Sequence, residues 1–322
     1  MITVLAGGVG AARFLRGLVL EVEPTKISVV VNTGDDTMMH GLNISPDLDT
    51  VTYTVANAID PERGWGLANE SWRVMESLAR YQDVKPDIST AAGTWFNLGD
   101  RDLATHLYRT ARIAEGATLS TVTQEIARAW GLTFNMMPMS DDQVSTKVDI
   151  IEDGVASTIS FQEYFVKRRH SVPVTGVEFV GATTARPTFI ATLQSSDAII
   201  IAPSNPIVSL GPIRALSGVD STLTSLRKRV IAISPIVAGS ALKGPADRMM
   251  VELGHEASVV GVARIYAPIC ATLVIDQQDE ALQSAVEREG MKCVVADTIM
   301  RTPQITQVLA RKVLQAVNEG ES

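Results

Sequence analysis

The chain has 322 residues, 46% of them hydrophobic, and a formal net charge of −8. This length and apolar content allow a substantial buried core and exclude an intrinsically disordered chain. The acidic charge, with no long basic run, argues against a nucleic-acid-binding protein. Two cysteines without CxxC spacing argue against a disulfide scaffold or a metal-binding pair. With no signal peptide and no apolar run near the roughly 20 residues of a membrane span, we expect a cytoplasmic protein.

Short, continuously apolar segments recur along the chain and predict the buried strands of a mainly parallel sheet. They lie at residues 2–6, 27–31, 198–202, 230–234, 272–276 and 293–296. The segment from Ala11 to Val22 places its apolar residues on one face and predicts a helix after the first strand. This alternation of strands with helices is typical of a Rossmann-like, doubly wound α/β fold.

The middle of the chain interrupts this alternation. From residue 51 to about 130 the pattern is mainly helical, and residues 149–160 form two β-type runs around Asp153-Gly154, which is a strong hairpin signal. We therefore predict a nucleotide-binding core formed by residues 1–50 and 175–322. Residues 51–174 would form a mostly helical insertion, or cap, that contains a β-hairpin.

A glycine-rich turn follows the first predicted strand. Residues Gly7-Gly8-Val9-Gly10 let backbone amides approach an anion, and the helix after them directs its positive end to the same place. The dinucleotide fingerprint is incomplete, because Arg13 stands at the third glycine position, and no P-loop Gly-Lys-Ser/Thr follows. The turn predicts a phosphate site, with a tight strand-to-helix connection that binds nothing as the alternative.

Acidic residues collect in the loops that follow. Asp35 and Asp36 come directly after the second predicted strand, and Asp47 and Asp49 come shortly afterwards. Carboxylate oxygens suit Mg²⁺, which binds one or two of them together with substrate phosphates. We predict a Mg²⁺ site formed by Asp35, Asp47 and Asp49. For each aspartate taken singly, helix capping or an Asx turn is the alternative.

Two later segments add polar groups that could bind a ligand. Ser204 and Asn205 lie between two prolines directly after a predicted strand, with Ser209 close behind, and such a rigid loop can hold hydroxyl and amide groups in place. Lys243 stands beside the predicted start of a helix at Pro245 and indicates a second anion site.

Other polar residues carry weaker signals. The segment 97–102 places charged residues just before a helical stretch, where helix capping is the alternative to ligand binding. The histidines show no HxxxH or HExxH spacing, and a structural role is expected for each of His40, His106, His170 and His255. No GxSxG sequence supports a serine hydrolase.

Seven segments in this order resemble the 2-phospho-L-lactate transferase family (CofD/FbiA type) of coenzyme F-420 biosynthesis, which includes phosphoenolpyruvate transferases. They are LAGGVGAARF at 5–14, NTGDD at 32–36, SPDLDTV at 45–51, LGDRDLATHL at 98–107, PMSDD at 138–142, APSNPIVSLGPI at 202–213 and SPIVAGSALKGPADRMM at 234–250. Each motif is weak by itself, but seven in register are specific, and together they span nearly the whole chain.

The resemblance implies a reaction. A phosphoenolpyruvyl or 2-phospho-L-lactyl group would pass from a guanosine diphosphate ester to the ribityl hydroxyl of Fo (7,8-didemethyl-8-hydroxy-5-deazariboflavin). The products would be GMP and coenzyme F-420-0 or its dehydro form, with Mg²⁺ as cofactor. The AGGVGAARF form resembles the actinobacterial branch, which favours the phosphoenolpyruvyl donor, although the residues alone leave both donors open.

The resemblance also implies binding residues and an assembly. Fo would contact Asp49, Asn97 and Asp100, and the insertion would contribute to this acceptor site. Asp49 would act catalytically by binding metal or by accepting the hydroxyl proton. The guanosine diphosphate would contact residues of the glycine-rich turn and later loops, namely Gly7, Gly8, Gly10, Thr33, Ser204, Asn205, Ser209 and Lys243. A homodimer is expected.

Two other classes of protein stay open at this point. A regulatory protein of related fold that binds a sugar nucleotide without catalysis would share the glycine-rich turn and the Ser204-Asn205 segment. The carboxylates of Asp47 and Asp49 favour the transferase, because a binding protein needs no metal-centred carboxylates. An NAD(P)-dependent oxidoreductase is disfavoured by Arg13 at the third glycine position.

Overall fold

A computed structural model describes residues 1–318. The described strands are β1 (Ile2–Ala6), β2 (Ile27–Val31), β3 (Thr37–Met39), β4 (Leu42–Ile44), β5 (Asn135–Pro138), β6 (Ser145–Glu152), β7 (Val155–Ser160), β8 (Val174–Val180), β9 (Ala198–Ile201), β10 (Val230–Ile233), β11 (Ile236–Val237), β12 (Ser240–Ala241), β13 (Thr272–Asp276) and β14 (Lys292–Ala296). The described α-helices are α1 (Gly8–Glu21), α2 (Pro46–Val55), α3 (Arg73–Ala79), α4 (Asp102–Ala114), α5 (Leu119–Ala129), α6 (Ile190–Gln194), α7 (Gly211–Ala215), α8 (Val219–Ser225), α9 (Ala246–Glu252), α10 (Val259–Tyr266), α11 (Gln283–Arg288) and α12 (Pro303–Asn318).

The central sheet has seven strands in the order β14-β13-β10-β9-β1-β2-β5, and every neighbouring pair is parallel. The chain starts in the middle with β1, moves to one side through β2 and β5, and then moves to the other side from β9 onwards. This is the doubly wound order, and its direction reverses between β1 and β9. The predicted fold class is confirmed, and the reversal marks the crevice where such sheets bind ligands.

Alternate residues of the strands enter the cores on the two faces of the sheet. On β1, Val4 packs on one face together with Phe14 of α1, and Leu5 packs on the other face together with Val262 of α10. All four are fully buried, and each large apolar side chain buried in this way contributes about 1.5–3 kcal/mol. The two-sided burial explains why the strands read as continuous apolar runs in the sequence.

Helix α1 lies against α12 on one of these faces. A Cβ on Gly17 would come within 2.5 Å of Thr306, so the glycine allows the two helices to approach closely. Helix α1 also begins at Gly8, which is three residues before the predicted start at Ala11. The start at Gly8 brings the first turn of the helix directly to the carboxyl end of β1.

The strand β5 was not predicted. It forms the edge of the central sheet beside β2, although it lies inside the stretch 51–174 that we assigned to the insertion. Its four residues begin with asparagine and end with Pro138, so they lack a β-type pattern, and an edge position tolerates the proline. The division of the chain at residues 51 and 174 stays a prediction.

The predicted hairpin is present and belongs to a small antiparallel sheet. Strands β6 and β7 pair on either side of Asp153 and Gly154, both of which have positive φ angles (51° and 79°) as a type I′ turn requires. Strand β8 pairs with the other side of β6. Within residues 1–318, every helix is too short or too polar to cross a lipid bilayer.

Candidate active site

A cavity of about 670 Å³ opens at the carboxyl edge of the sheet beside the reversal point. Its walls come from the loops after β1, β9 and β10, from the start of α2, and from the segments 63–66, 95–106 and 161–166. Most of the ligand-binding and metal-binding residues predicted from the sequence line it, namely Gly7, Gly8, Gly10, Asp35, Asp47, Asp49, Asn97, Ser204, Asn205, Ser209 and Lys243.

Two predicted residues lie outside the cavity wall. Thr33 is buried within the loop after β2, where its carbonyl accepts a hydrogen bond from the amide of Asp36 (3.2 Å). The carboxylate of Asp100 accepts hydrogen bonds from both the amide and the hydroxyl of Ser71, each at 2.8 Å. Asp100 therefore joins the segment before α3 to the segment before α4, and it is not among the residues that line the cavity.

The glycine-rich turn packs directly on the loop after β9. The hydroxyl of Ser204 donates to the carbonyl of Gly7 (2.6 Å) and lies 3.2 Å from its amide. A Cβ on Gly10 would overlap the carbonyl oxygen of Pro203. Gly10 is thus required for the contact between the two loops, whereas we predicted that it would admit a ligand. Gly8 has a φ angle of +68°, and a Cβ there would meet only a carboxylate oxygen of Asp47 at 3.3 Å.

Asp35 and Asp47 form a buried acidic pair beside this turn. Asp47 accepts a hydrogen bond from the side chain of Asn32 (2.9 Å), and burial raises its pKa to about 6. Burial, together with the nearby charge of Asp47, raises the pKa of Asp35 well above its ordinary value. Oδ1 of Asp35 has no hydrogen-bond partner within residues 1–318. The pair therefore offers oxygen ligands whose burial a divalent cation would compensate.

Asp49 lies in a different set of contacts. Its carboxylate is held by both terminal nitrogens of the Arg109 guanidinium, with Nη1 3.1 Å from Oδ2. His106 lies between two carboxylates, with Nδ1 3.6 Å from Oδ2 of Asp49 and Nε2 3.3 Å from Oδ2 of Asp102. The hydroxyl of Tyr53 donates to Oδ1 of Asp102 (2.6 Å). These contacts join α2 to α4 through a continuous buried chain of polar groups.

The two ring nitrogens of His106 face different groups. Nη1 of Arg109 lies 3.3 Å from Nδ1 of His106, and Nε2 lies on the side of Asp102. Burial alone would raise the pKa of Asp102, but its contacts with His106, Tyr53 and Arg109 lower it below the ordinary value.

Among the described residues, a triad and a pair of side chains could hold a metal ion. Ligand atoms of Asp49, Asp102 and His106 lie within 4.8 Å of one another. However, Arg109 already neutralises Asp49, and an ion there would compete with it. The acidic pair, Asp35 and Asp47, has only oxygen ligands and is better suited to Mg²⁺.

Cationic side chains also line the cavity. Arg13 and Lys243 both belong to the wall, and burial, together with the charge of Arg13, lowers the pKa of Lys243. The guanidinium of Arg63 lies 5.3 Å from the ring centroid of Trp65 and 5.0 Å from that of Trp72. The cavity wall therefore contains both cationic and acidic side chains.

Aromatic rings provide an apolar part of the wall. Phe161 and Phe165 are stacked, with centroids 5.5 Å apart and an interplanar angle of 19°, and Phe165 also stacks on His170. Trp95 contacts Phe96 edge to face at the side of the cavity that carries Asn97. Such rings can bind a flat heterocycle.

Sequence reasoning did not identify Arg109, and it gave His106 only a structural role. A signal was present, because Asp102, His106 and Arg109 are spaced four and then three residues apart and so share one face of α4. Glu70 carries no comparable signal. Its buried carboxylate accepts hydrogen bonds from the amides of Asp102 (2.8 Å) and Leu67 (2.9 Å), and so it caps α4 from a distant part of the chain.

Comparisons with known proteins identify the family of this chain. A family model described as 2-phospho-L-lactate transferase CofD matches residues 2–314. The chain is 39% identical over 321 residues to a phosphoenolpyruvate transferase of Streptomyces griseus, and the alignment covers 99% of this chain and 98% of that protein. It is also 39% identical over 323 residues to a phosphoenolpyruvate transferase of Mycolicibacterium smegmatis, with 96% of each protein covered.

Among solved structures, a UPF0052 family protein from Bacillus halodurans has a similar fold. It superimposes with a TM-score of 0.60 at 13% identity, covering 97% of this chain and 98% of that one. At that identity the likeness concerns the fold alone. The family match extends over nearly the whole chain, as do both sequence relatives, and the chain therefore belongs to the 2-phospho-L-lactate transferase (CofD) family.

Proposed function

We propose that this protein transfers a phosphoenolpyruvyl group from a guanosine diphosphate ester to the ribityl hydroxyl of Fo, with GMP as the second product. The names of the sequence relatives favour phosphoenolpyruvyl over 2-phospho-L-lactyl as the transferred group. The observation that carries the proposal is the cavity itself. In one space it combines a glycine-rich helix start, a buried acidic pair, cationic side chains and aromatic rings.

The diphosphate would bind at the reversal point of the sheet. Helix α1 begins there after Gly7, and its residues Gly8, Val9 and Gly10 line the cavity, so the positive end of the helix dipole would lie beside the phosphates. Lys243 and Arg13 would neutralise the phosphate oxygens, and Ser204 holds the turn against the loop after β9. The aromatic side chains would bind the flat rings of the ligands.

Asp35 and Asp47 would hold Mg²⁺. When bound, the ion neutralises negative charge on the diphosphate and so makes the phosphorus easier to attack. The unpartnered oxygen of Asp35 and the oxygen-only ligand set are the features that fit this ion.

In the proposed reaction, the ribityl oxygen of Fo forms a bond to the phosphorus that carries the three-carbon group. The bond from that phosphorus to the bridging oxygen breaks, and GMP leaves with this oxygen. Asp49 is the candidate that accepts the hydroxyl proton, which then passes to solvent or to GMP. Arg109 fixes the orientation of the Asp49 carboxylate. Positioning and charge neutralisation supply most of the rate in reactions of this kind, so no covalent intermediate with the protein is needed.

The test is direct. The protein is incubated with Fo, Mg²⁺ and each donor, and the products are identified by mass. We expect GMP and the dehydro form of coenzyme F-420-0 from the phosphoenolpyruvyl donor, and loss of both products when the metal is chelated. Absence of product with both donors, together with Fo fluorescence that does not change on titration with the protein, would refute the transferase and favour a sugar-nucleotide-binding protein.

We also propose a homodimer, on the resemblance alone. Light scattering would then give about twice the chain mass of 34.6 kDa.

A further inference from the structure

A second cavity, of about 470 Å³, adjoins the first. It lies between α1, the end of α2 and the start of α12, and we call it the side chamber. Five residues line both cavities, so the two spaces share a wall; they are Val9, Arg13, Gly64, Met300 and Arg301. Arg16 lines the side chamber and is not part of the wall of the first cavity.

The side chamber is positively charged. Arg13 and Arg16 lie three residues apart on α1 and so share one face of the helix, and both are half-buried. Within residues 1–318, neither guanidinium has a hydrogen bond or an ion pair. The one acidic residue of the lining, Asp60, already pairs with Arg63 (3.1 Å) and accepts its amide (2.9 Å). Two half-buried guanidinium groups without counterions indicate a site for an anion.

Arg13 stands where the dinucleotide fingerprint has its third glycine. That glycine allows close packing between helix and strand, whereas here a long cation extends from the same helix to the wall between the two cavities. The substitution therefore places a charge one turn beyond Gly10, directly next to the proposed diphosphate site.

We propose that the side chamber binds the carboxylate of the three-carbon group on the donor, and that Arg16 is a specificity-determining residue for it, with Arg13 on the shared wall between this carboxylate and the phosphates. This inference rests on the proposed function, in which the donor ends in a carboxylated three-carbon unit attached to the diphosphate. That unit must extend away from the phosphates held at the start of α1, and the side chamber is the adjoining space. Guanidinium groups bind carboxylates through paired hydrogen bonds, which gives geometric selectivity for a donor that carries one.

Arg16→Ala tests the inference, because Arg16 contacts the side chamber alone. Affinity for GDP, which has no carboxylate, is compared with affinity for the donor by calorimetry without Fo, and KM and kcat are then measured with Fo. A hydrogen bond to a charged group contributes about 1.5–3 kcal/mol, so donor affinity should fall roughly 10-fold or more. GDP affinity should change less than about twofold in the same variant. Arg16→Lys should restore part of the lost donor affinity.

Arg288→Ala is the matched control, because Arg288 is an exposed arginine at the end of α11, outside both cavities. Circular dichroism checks the fold, and Arg16→Gln replaces the alanine variant if that variant does not fold.

Equal losses of GDP and donor affinity would assign Arg16 to the diphosphate and overturn the inference, as would an unchanged donor affinity. Wild-type protein is assayed first. If it transfers no group from either donor, the proposed function fails and this inference fails with it; normal wild-type transfer with an unaffected Arg16→Ala variant refutes the side chamber alone.

Discussion

Removing one partner of the buried ion pair between Asp49 and Arg109 should strongly destabilise this protein. Arg109 is 1% exposed and Asp49 is 5% exposed, and the two side chains bind through both oxygens and both terminal nitrogens. In Asp49→Asn the charge of Arg109 stays buried without the carboxylate that it binds through both terminal nitrogens. Breaking a buried pair in this way costs about 3–5 kcal/mol, against a total free energy of unfolding of about 5–15 kcal/mol for a typical protein.

Urea denaturation followed by circular dichroism measures this loss. Asp49→Asn, Arg109→Met and the double variant form a double-mutant cycle, and the double variant should be less destabilised than the sum of the single variants. The matched control is an exposed pair, Glu256 and Arg264, whose side chains are about half exposed and lie 2.8 Å apart. Glu256→Gln should cost less than about 1 kcal/mol.

The stability loss also affects how turnover is interpreted. At a temperature where Asp49→Asn is fully folded, we expect turnover to fall roughly 10²-fold, the scale for loss of a key electrostatic group, with GDP binding largely retained. A destabilisation of Asp49→Asn below about 1 kcal/mol would refute the reasoning about the buried pair. Near-normal turnover would refute the role of Asp49 as proton acceptor.

Three further predictions follow from the same structure. Gly10→Val should lower the melting temperature and weaken GDP binding together, because the new side chain would overlap Pro203; calorimetry that shows normal binding would contradict this. Mg²⁺ affinity, measured by titration, should fall as the pH is lowered from 7 to 5. Burial raises the pKa of Asp47 to about 6, so this carboxylate becomes protonated over that range and the ion must displace the proton. A Mg²⁺ affinity that does not change with pH would exclude Asp47 as a ligand. Cys270 and Cys293, whose pKa values burial raises to about 12, should react with a thiol reagent at pH 8 only after unfolding, and fast reaction of native protein would contradict their burial.

Features that depend on neighbouring residues could be predicted from the sequence. Six strands of the central sheet were predicted because burial on both faces produces continuous apolar runs. The hairpin at Asp153-Gly154 was predicted because a two-residue turn with positive φ angles needs such residues. The glycine-rich turn and the acidic loop follow parallel strands, and the carboxyl ends of those strands meet at one edge, so their convergence on one cavity was predictable as well.

Features that depend on distant residues were decided by the tertiary structure. The strand β5 joins the sheet through its pairing with β2, since its own residues carry no β-type pattern. Asp49 meets Arg109 across 60 residues, a contact that the sequence did not indicate. Asp100 lies outside the cavity wall because its carboxylate bonds to Ser71. A sequence pattern determines the conformation of a segment and the chemistry it carries, but the partner of a buried charge is determined by which helices the folded core brings together.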